Sequence, residues 1–216
     1  MIKLNNRLKA ISELTTSDLS YLDIGCDHGL LEVYLLKKNI KIVGTDNKQG
    51  PLDNAKKNFK SNKVDGELRL GDGLDAYNGE DGVIICGMGG INIIGIIRNN
   101  ISKIKDIDTF ILSPNNYQED VKRFLCKNGF IIDDDVMVKE KKFIYQIIKF
   151  TKGKKKYTKK EYFFGPVFLK KKDKLFKEYF ERELKSREIL LEVLPNNYRW
   201  KKFLTKREIK MIKEEL

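Results

Sequence analysis

Five short apolar runs alternate with segments of helical period over the first 130 residues, and this alternation constrains the fold more than any other feature. The runs are "YLDIGC" from Tyr21, "IKIVGTD" ending on Asp46, "ELRLGDG", "GVIICGMGG" and "TFILSPNN". Helical spacing marks "NNRLKAISELTT", where Leu8, Ile11 and Leu14 share a face and Asn5 or Asn6 caps, and then "GLLEVYLLKKN", "GPLDNAKKNFKSN", "INIIGIIRNNI" and "YQEDVKRFLCKNG". Short β-rich runs separated by helices predict βαβ units and a parallel sheet.

The next two runs break that rhythm. "FIIDDDVMV" and "KFIYQIIKF" are separated only by "KEK", too short for a parallel crossover, so they form an antiparallel hairpin. An α/β fold whose parallel sheet closes on one antiparallel strand resembles, at the level of fold, the Rossmann-like class I methyltransferases rather than a dinucleotide-binding domain.

The character then changes. A lysine-rich linker, "TKGKKKYTKKE", leads into 167–194, which carries Val167, Leu169, Leu175, Phe176, Phe180, Leu184, Ile189 and Leu194 among dense charge. "PNN" at 195–197 interrupts it, and 198–216 resumes with Trp200, Phe203, Leu204, Ile209 and Ile212. Two amphipathic helices about a short turn predict a coiled-coil-like antiparallel helical hairpin. The expected domains are a methyltransferase domain at 1–151 and a basic linker with helical hairpin at 152–216.

Charge follows the same division. Residues 151–216 hold 21 Lys/Arg against 10 Asp/Glu, whereas 1–150 hold 22 against 21. A neutral body with a basic appendage suits a polyanionic partner, and a solvated helical surface fits the composition equally well. Cys26, Cys86 and Cys126 are odd in number and lack CxxC spacing, so neither a disulfide frame nor a zinc knuckle is indicated. A lone histidine, His28, makes a histidine-based metal site untenable. The start of the chain lacks a signal-peptide core and no run approaches a membrane span, so a cytoplasmic location without membrane or metal is expected.

In open α/β sheets ligands bind at the carboxyl ends of the strands. Those ends carry Gly25, Cys26, Asp27, His28 and Gly29 after the first strand, Asp46 and Asn47 after the second, and Gly71, Asp72 and Gly73 after the third. Gly87, Met88 and Gly89 follow the fourth, and Ser113 to Asn116 the fifth. Asp46 lies 21 positions beyond Gly25, where an acid meets ribose hydroxyls, and Asp72 is placed to accept from an adenine amino group. Both NAD and S-adenosylmethionine fit that much. The first loop separates them: a dinucleotide loop needs bare amides for pyrophosphate, whereas Asp27 would repel phosphate and suits the cationic amino group of S-adenosylmethionine. Asp23 matches the acid that opens the methyltransferase form of this loop. His28 reads first as a hydrogen-bonded scaffold residue of the loop, Cys26 and Cys86 as small buried fillers, and Met88 as pocket lining or core. In "SPNNYQ", Asn115 can bond a base edge and Tyr117 can stack on a flipped base; a Pro-Asn turn capping the next helix is as good a reading of each.

"DIGCDHGLL", "GTDNKQGPLDNAKKN", "GDGL", "ICGMGG" and "ILSPNN", in this order and followed by a basic helical hairpin, resemble the bacterial tRNA (adenine-22-N1)-methyltransferases across essentially the whole chain. The family's pattern has QPN where this chain has Ser113-Pro114-Asn115, which leaves Ser113 without an assigned role. The resemblance implies methyl transfer from S-adenosylmethionine, with S-adenosylhomocysteine as product, to N1 of adenine 22 in the tRNA D-arm; the helical hairpin can pack within one chain or pair between two, and a monomer is expected. N1 carries an in-plane lone pair and no proton, so the reaction needs no general base. The task is to expose and align the base, for which Asp27, Asn115 and Tyr117 are the candidates, with the hairpin and the 152–160 lysines on the tRNA backbone. Rival readings are a methyltransferase of another base or small molecule, a non-catalytic RNA-binding module of the same fold, and a nicotinamide-dependent dehydrogenase.

Overall fold

The computed structural model describes residues 3–216, which fall into two compact units, one ending at Lys156 and one spanning Tyr157–Leu216. In the first, helix α1 (Asn6–Leu14) begins where the Asn5 side chain accepts from the Leu8 amide at 2.8 Å, satisfying one of the free N–H groups of the first turn. Strands β1 (Ser20–Ile24), β2 (Lys41–Asp46), β3 (Glu67–Leu70), β4 (Gly82–Cys86) and β5 (Thr109–Ser113) are mutually parallel, with helices α2 (Leu30–Leu36), α3 (Gln49–Asn62), α4 (Gly90–Asn99) and α5 (Gln118–Lys127) between them. Strands β6 (Phe130–Glu140) and β7 (Phe143–Lys152) form the antiparallel hairpin, and β7 inserts between β5 and β6.

The sheet order is β3-β2-β1-β4-β5-β7-β6. From β1 the chain winds outward to β3 and then returns to β4 on the other side, which opens a crevice at the carboxyl ends of β1 and β4. On one face of the sheet, Tyr21, Ile42, Ile84, Ile111 and Ile147 pack with Ala10 and Ile11 of α1 and Leu31 and Leu35 of α2. The alternate positions Leu22, Val83, Ile85, Phe110 and Leu112 are fully buried too. These strands are therefore covered on both faces, which explains continuous apolar runs rather than alternating ones.

The second unit departs from the two-helix expectation. The lysine-rich stretch is a loop only over 153–158. It ends in a capping box, Thr158 with Glu161, that starts α6 (Lys159–Phe164). Helix α7 (Pro166–Lys171) follows, and the run expected to be one helix from 167 breaks at Lys172, which adopts a left-handed conformation before Asp173 caps α8 (Lys174–Val193). Phe163, Phe164, Phe176 and Phe180 form one aromatic cluster among α6 and α8, with ring centroids 4.7–6.1 Å apart. Helix α9 (Arg199–Glu215) pairs antiparallel with α8: Arg187 holds Glu208 at 2.7 Å and Lys213 holds Glu188 at 2.7 Å.

Candidate functional site

The first loop is anchored from the neighbouring strand. The Gly25 and Cys26 amides both donate to the Thr45 carbonyl, at 2.8 and 2.9 Å, and the Gly29 amide closes the turn onto the Cys26 carbonyl at 2.8 Å. Gly25 has φ +83°, and a Cβ there would stand 2.8 Å from Met88 Cε. The positive φ favours glycine at that point, where Met88 of the β4 turn comes close.

A cavity of about 380 Å³ lies at the carboxyl ends of β1 to β4, lined by Gly25, Asp46, Asn47, Asp72, Gly73 and Met88 together with residues of α4. Its size falls within the usual range for small-molecule sites. Asp46 Oδ1 accepts from the Lys48 amide at 3.0 Å, fixing the carboxylate at the strand end. Asp72 precedes a short 3-10 turn at 73–76 without capping it, so its carboxylate stays available. Two carboxylates and no lysine or arginine line this cavity. A pyrophosphate would meet repulsion there, whereas an adenosine bearing a cationic sulfonium meets complementary charge.

The remaining expected residues divide between interior and rim. Asp23 and Cys26 are buried, and Gly29 is buried where α2 begins. Cys26 is buried as expected, whereas Cys86 is only half-buried; desolvation holds both thiols above their ordinary range, which disfavours a nucleophilic role. Asp27 and His28 sit on the exposed crest of the loop, Asp27 in a left-handed conformation (φ 50°). The scaffold reading of His28 is corrected in part. Its carbonyl accepts from Asn58 Nδ2 at 2.8 Å, while its imidazole is half exposed with Nε2 3.6 Å from Asp27 Oδ1, beyond hydrogen-bond range.

On the β4–β5 side, Asn115 is tied to the glycine turn twice. Its amide donates to the Met88 carbonyl at 2.9 Å and its Nδ2 to the Gly87 carbonyl at 2.6 Å. The capping alternative for this segment is realised on a different helix than expected: Asn116 Oδ1 accepts from the Gly90 amide at 3.0 Å, capping α4 rather than α5. Tyr117 is half exposed and left-handed at φ 53°, a strained conformation for a non-glycine residue of the kind that gathers at functional sites. Gly89 flanks the same junction, since a Cβ there would lie 3.3 Å from Asn116 Oδ1.

Three features escaped the sequence reading. Asn92, Ile96 and Asn99 of α4 line the cavity; the signal was two asparagines seven apart on a helix that is apolar but for them and Arg98. Glu32 of α2 is wholly buried beside Asp23. Arg7 of α1 lies over the Tyr145 ring, 4.7 Å from its centroid, with its guanidinium at the Gly87 turn.

A sheet of this order with one antiparallel strand, and an acid-lined cavity at its switch point, define a Rossmann-like methyltransferase. A profile of the tRNA (adenine(22)-N(1))-methyltransferase family matches residues 21–214, and the chain belongs to that family. It is 34% identical over 191 residues to a Mycoplasma genitalium protein proposed as a tRNA methyltransferase, covering 82% of this chain and 84% of the relative. Among solved structures, a Streptococcus agalactiae protein of the NADB-Rossmann superfamily superposes with a TM-score of 0.93 at 31% identity, covering 100% of this chain and 98% of that one. Streptococcus pneumoniae Sp1610, proposed as a tRNA (m1A22) methyltransferase and solved with S-adenosyl-L-methionine, superposes with a TM-score of 0.89 at 26% identity, covering 99% and 100%. The enzyme is thus an S-adenosylmethionine-dependent methyltransferase of tRNA acting on adenine N1. Among the described residues no helix is long and apolar enough to cross a membrane, and no cluster of potential metal ligands occurs.

Proposed function

We propose that the cavity between the β1, β2, β3 and β4 ends seats S-adenosylmethionine, and that the β4–β5 turns receive adenine 22 of the tRNA D-arm. The observation that carries this is the lining itself, with Asp46 and Asp72 present and no cation. Asp46, with Asn47 beside it, takes the ribose hydroxyls, and Asp72 the adenine amino group. Asp27 meets the ligand's amino group from the loop crest, Gly25 and Met88 form the wall between, and Asp23, Cys26, His28, Gly29, Gly73, Gly87 and Gly89 shape the surrounding loops. When bound, S-adenosylmethionine supplies an electrophilic methyl group on sulfur and leaves as S-adenosylhomocysteine.

The chain's own residues have little proton chemistry to perform, because adenine N1 attacks with a lone pair and carries no proton. Asn115 is held through Nδ2 on the Gly87 carbonyl, which orients its Oδ1 as an acceptor for the exocyclic amine of the same base. Tyr117, set outward by its left-handed backbone, stacks on the extruded ring. The basic second unit and the loop lysines hold the tRNA backbone. The protein acts in the cytoplasm as a monomer.

Calorimetry tests the cofactor half of this reading. The wild-type chain is expected to bind S-adenosylmethionine and not NAD. Asp46→Ala is expected to weaken that binding by roughly tenfold or more, the worth of a charge-assisted hydrogen bond, while tRNA affinity stays within twofold. Equal loss of both would make Asp46 a structural residue.

A further inference from the structure

At the turn end of α9 the chain exposes aromatic surface that a folded unit ordinarily hides. Trp200 is 70% exposed, Phe203 49% and Tyr198 51%. The Trp200 and Phe203 rings lie nearly parallel, with centroids 5.5 Å apart and an interplanar angle of 26°. Arg207 lies over Phe203 at 5.7 Å, which continues the stack with a planar cation. The segment "RWKKFLTKR" from Arg199 to Arg207 has five Lys/Arg and no acid. Lys202 bonds only the Asn196 side chain, and among the described residues Arg199, Lys201 and Lys206 have no acidic partner.

Elsewhere in this unit several cations are paired with acids. Lys160 and Lys172 converge on Glu215, Arg187 on Glu183 and Glu208, and Lys213 on Glu188. The stretch around the exposed rings differs in holding five cations with no acid among them. Phe163, Phe164, Phe176 and Phe180 show that the same unit packs aromatic rings together when they serve its interior, so the rings at the tip are not a surplus of core.

We propose that Trp200 and Phe203, with Tyr198 beside them and Arg199, Lys201, Lys206 and Arg207 around them, form a stacking platform for unpaired nucleobases of the tRNA substrate. Stacked rings offer flat faces to any base, and surrounding cations hold the flanking phosphates; this pairing is the general means of gripping single-stranded nucleic acid. A duplex, whose bases are already stacked on one another, offers nothing to such a surface. The platform therefore selects loop or end nucleotides, adding to backbone attraction a term that needs unpaired bases. A second copy of this chain is the less suitable occupant, because the same dense positive charge would face itself across the interface. This inference rests on the reading of the second unit as the tRNA-holding part and names the chemistry it recognises.

Trp200 is the chain's single tryptophan, so its emission reports on the platform alone. The full-length protein is titrated with an unmodified tRNA transcript, following Trp emission and a mobility shift in parallel. The expected result is quenching that saturates with the shift. A fully paired RNA duplex of similar length should shift the protein without comparable quenching. Trp200→Ala and Phe203→Ala, at exposed positions where folding tolerates them, should each weaken tRNA binding about fivefold or more and leave S-adenosylmethionine binding unchanged. A mobility shift with unaltered emission and full affinity in Trp200→Ala would overturn the platform and keep the tRNA reading. Absence of any shift would overturn both. Emission that depends on protein concentration, with Trp200→Ala converting a dimer to a monomer in sedimentation, would assign the rings to self-association and overturn the proposal.

Discussion

Asn115 donates its side-chain amide to the Gly87 carbonyl at 2.6 Å, locking the turn after β5 to the turn after β4. With one Nδ2 N–H used in this way, the side chain still offers a base Oδ1 as acceptor and the second N–H as donor. Removing the side chain should leave the cofactor cavity intact and misplace the acceptor base. Asn115→Ala is expected to lower kcat/KM for tRNA by roughly 10- to 100-fold, about 1.4–2.8 kcal/mol, with S-adenosylmethionine affinity within twofold of wild type. An unchanged kcat/KM would reduce Asn115 to a loop anchor.

A buried pair of acids makes stability depend on pH. Asp23 and Glu32 lie together, and with both ionised neither Glu32 oxygen has a donor. One proton between the two carboxyls supplies it. Burial pushes Asp23 up to about 6, and burial, then the Asp23 charge, holds Glu32 well above the carboxylate range. The folded state thus keeps protons that the unfolded chain releases above about pH 4. Stability should therefore fall as pH rises from there through the raised values, by about 1.4 kcal/mol for each unit of elevation. Glu32→Gln removes one titration, so it should raise Tm by several degrees at pH 8 and by much less at pH 5. A variant destabilised equally at both would contradict the shared-proton pair. Gly44 makes room for this carboxyl, since a Cβ there would lie 2.9 Å from Glu32 Oε1.

The structure separates the lysines of the 152–160 stretch. Lys154, Lys156 and Lys159 are exposed, while Lys160 is held by Glu214 at 2.9 Å and Glu215 at 2.6 Å. Changing the first three to glutamine should flatten the plot of log binding constant against log salt by about 0.7–0.9 for each phosphate that is no longer neutralised. Lys160→Gln should instead lower Tm and leave the slope alone. A slope unmoved by the triple change would place the RNA surface elsewhere.

The parts of the fold written in local spacing were readable from the chain. The three residues between "FIIDDDVMV" and "KFIYQIIKF" forced a hairpin on covalent geometry alone, and the strand-end clusters follow from sheet direction. The break at Lys172 was harder, because a left-handed lysine carries no marker of its own and the only cue is the Asp173 cap that follows it. The Thr158–Glu161 capping box was visible as T-x-x-E but was hidden by the surrounding lysines. Glu32 could not be found by pattern, since an acid in an amphipathic helix ordinarily faces water. Its burial depends on Gly44, on another strand. In the site, Asp46, Asp72 and Gly25 were legible because each ends a strand, whereas Asn92 and Asn99 reach the cavity only through the packing of α4. The family resemblance supplied the methylated atom, which no spacing in the chain encodes.

Methyl transfer from labelled S-adenosylmethionine to an unmodified tRNA transcript, read by nucleoside mass spectrometry, tests the assigned activity most directly. The expected product is 1-methyladenosine, abolished when adenine 22 is replaced by guanine. Label incorporated at another nucleoside, or 1-methyladenosine that persists without adenine 22, would contradict the assignment.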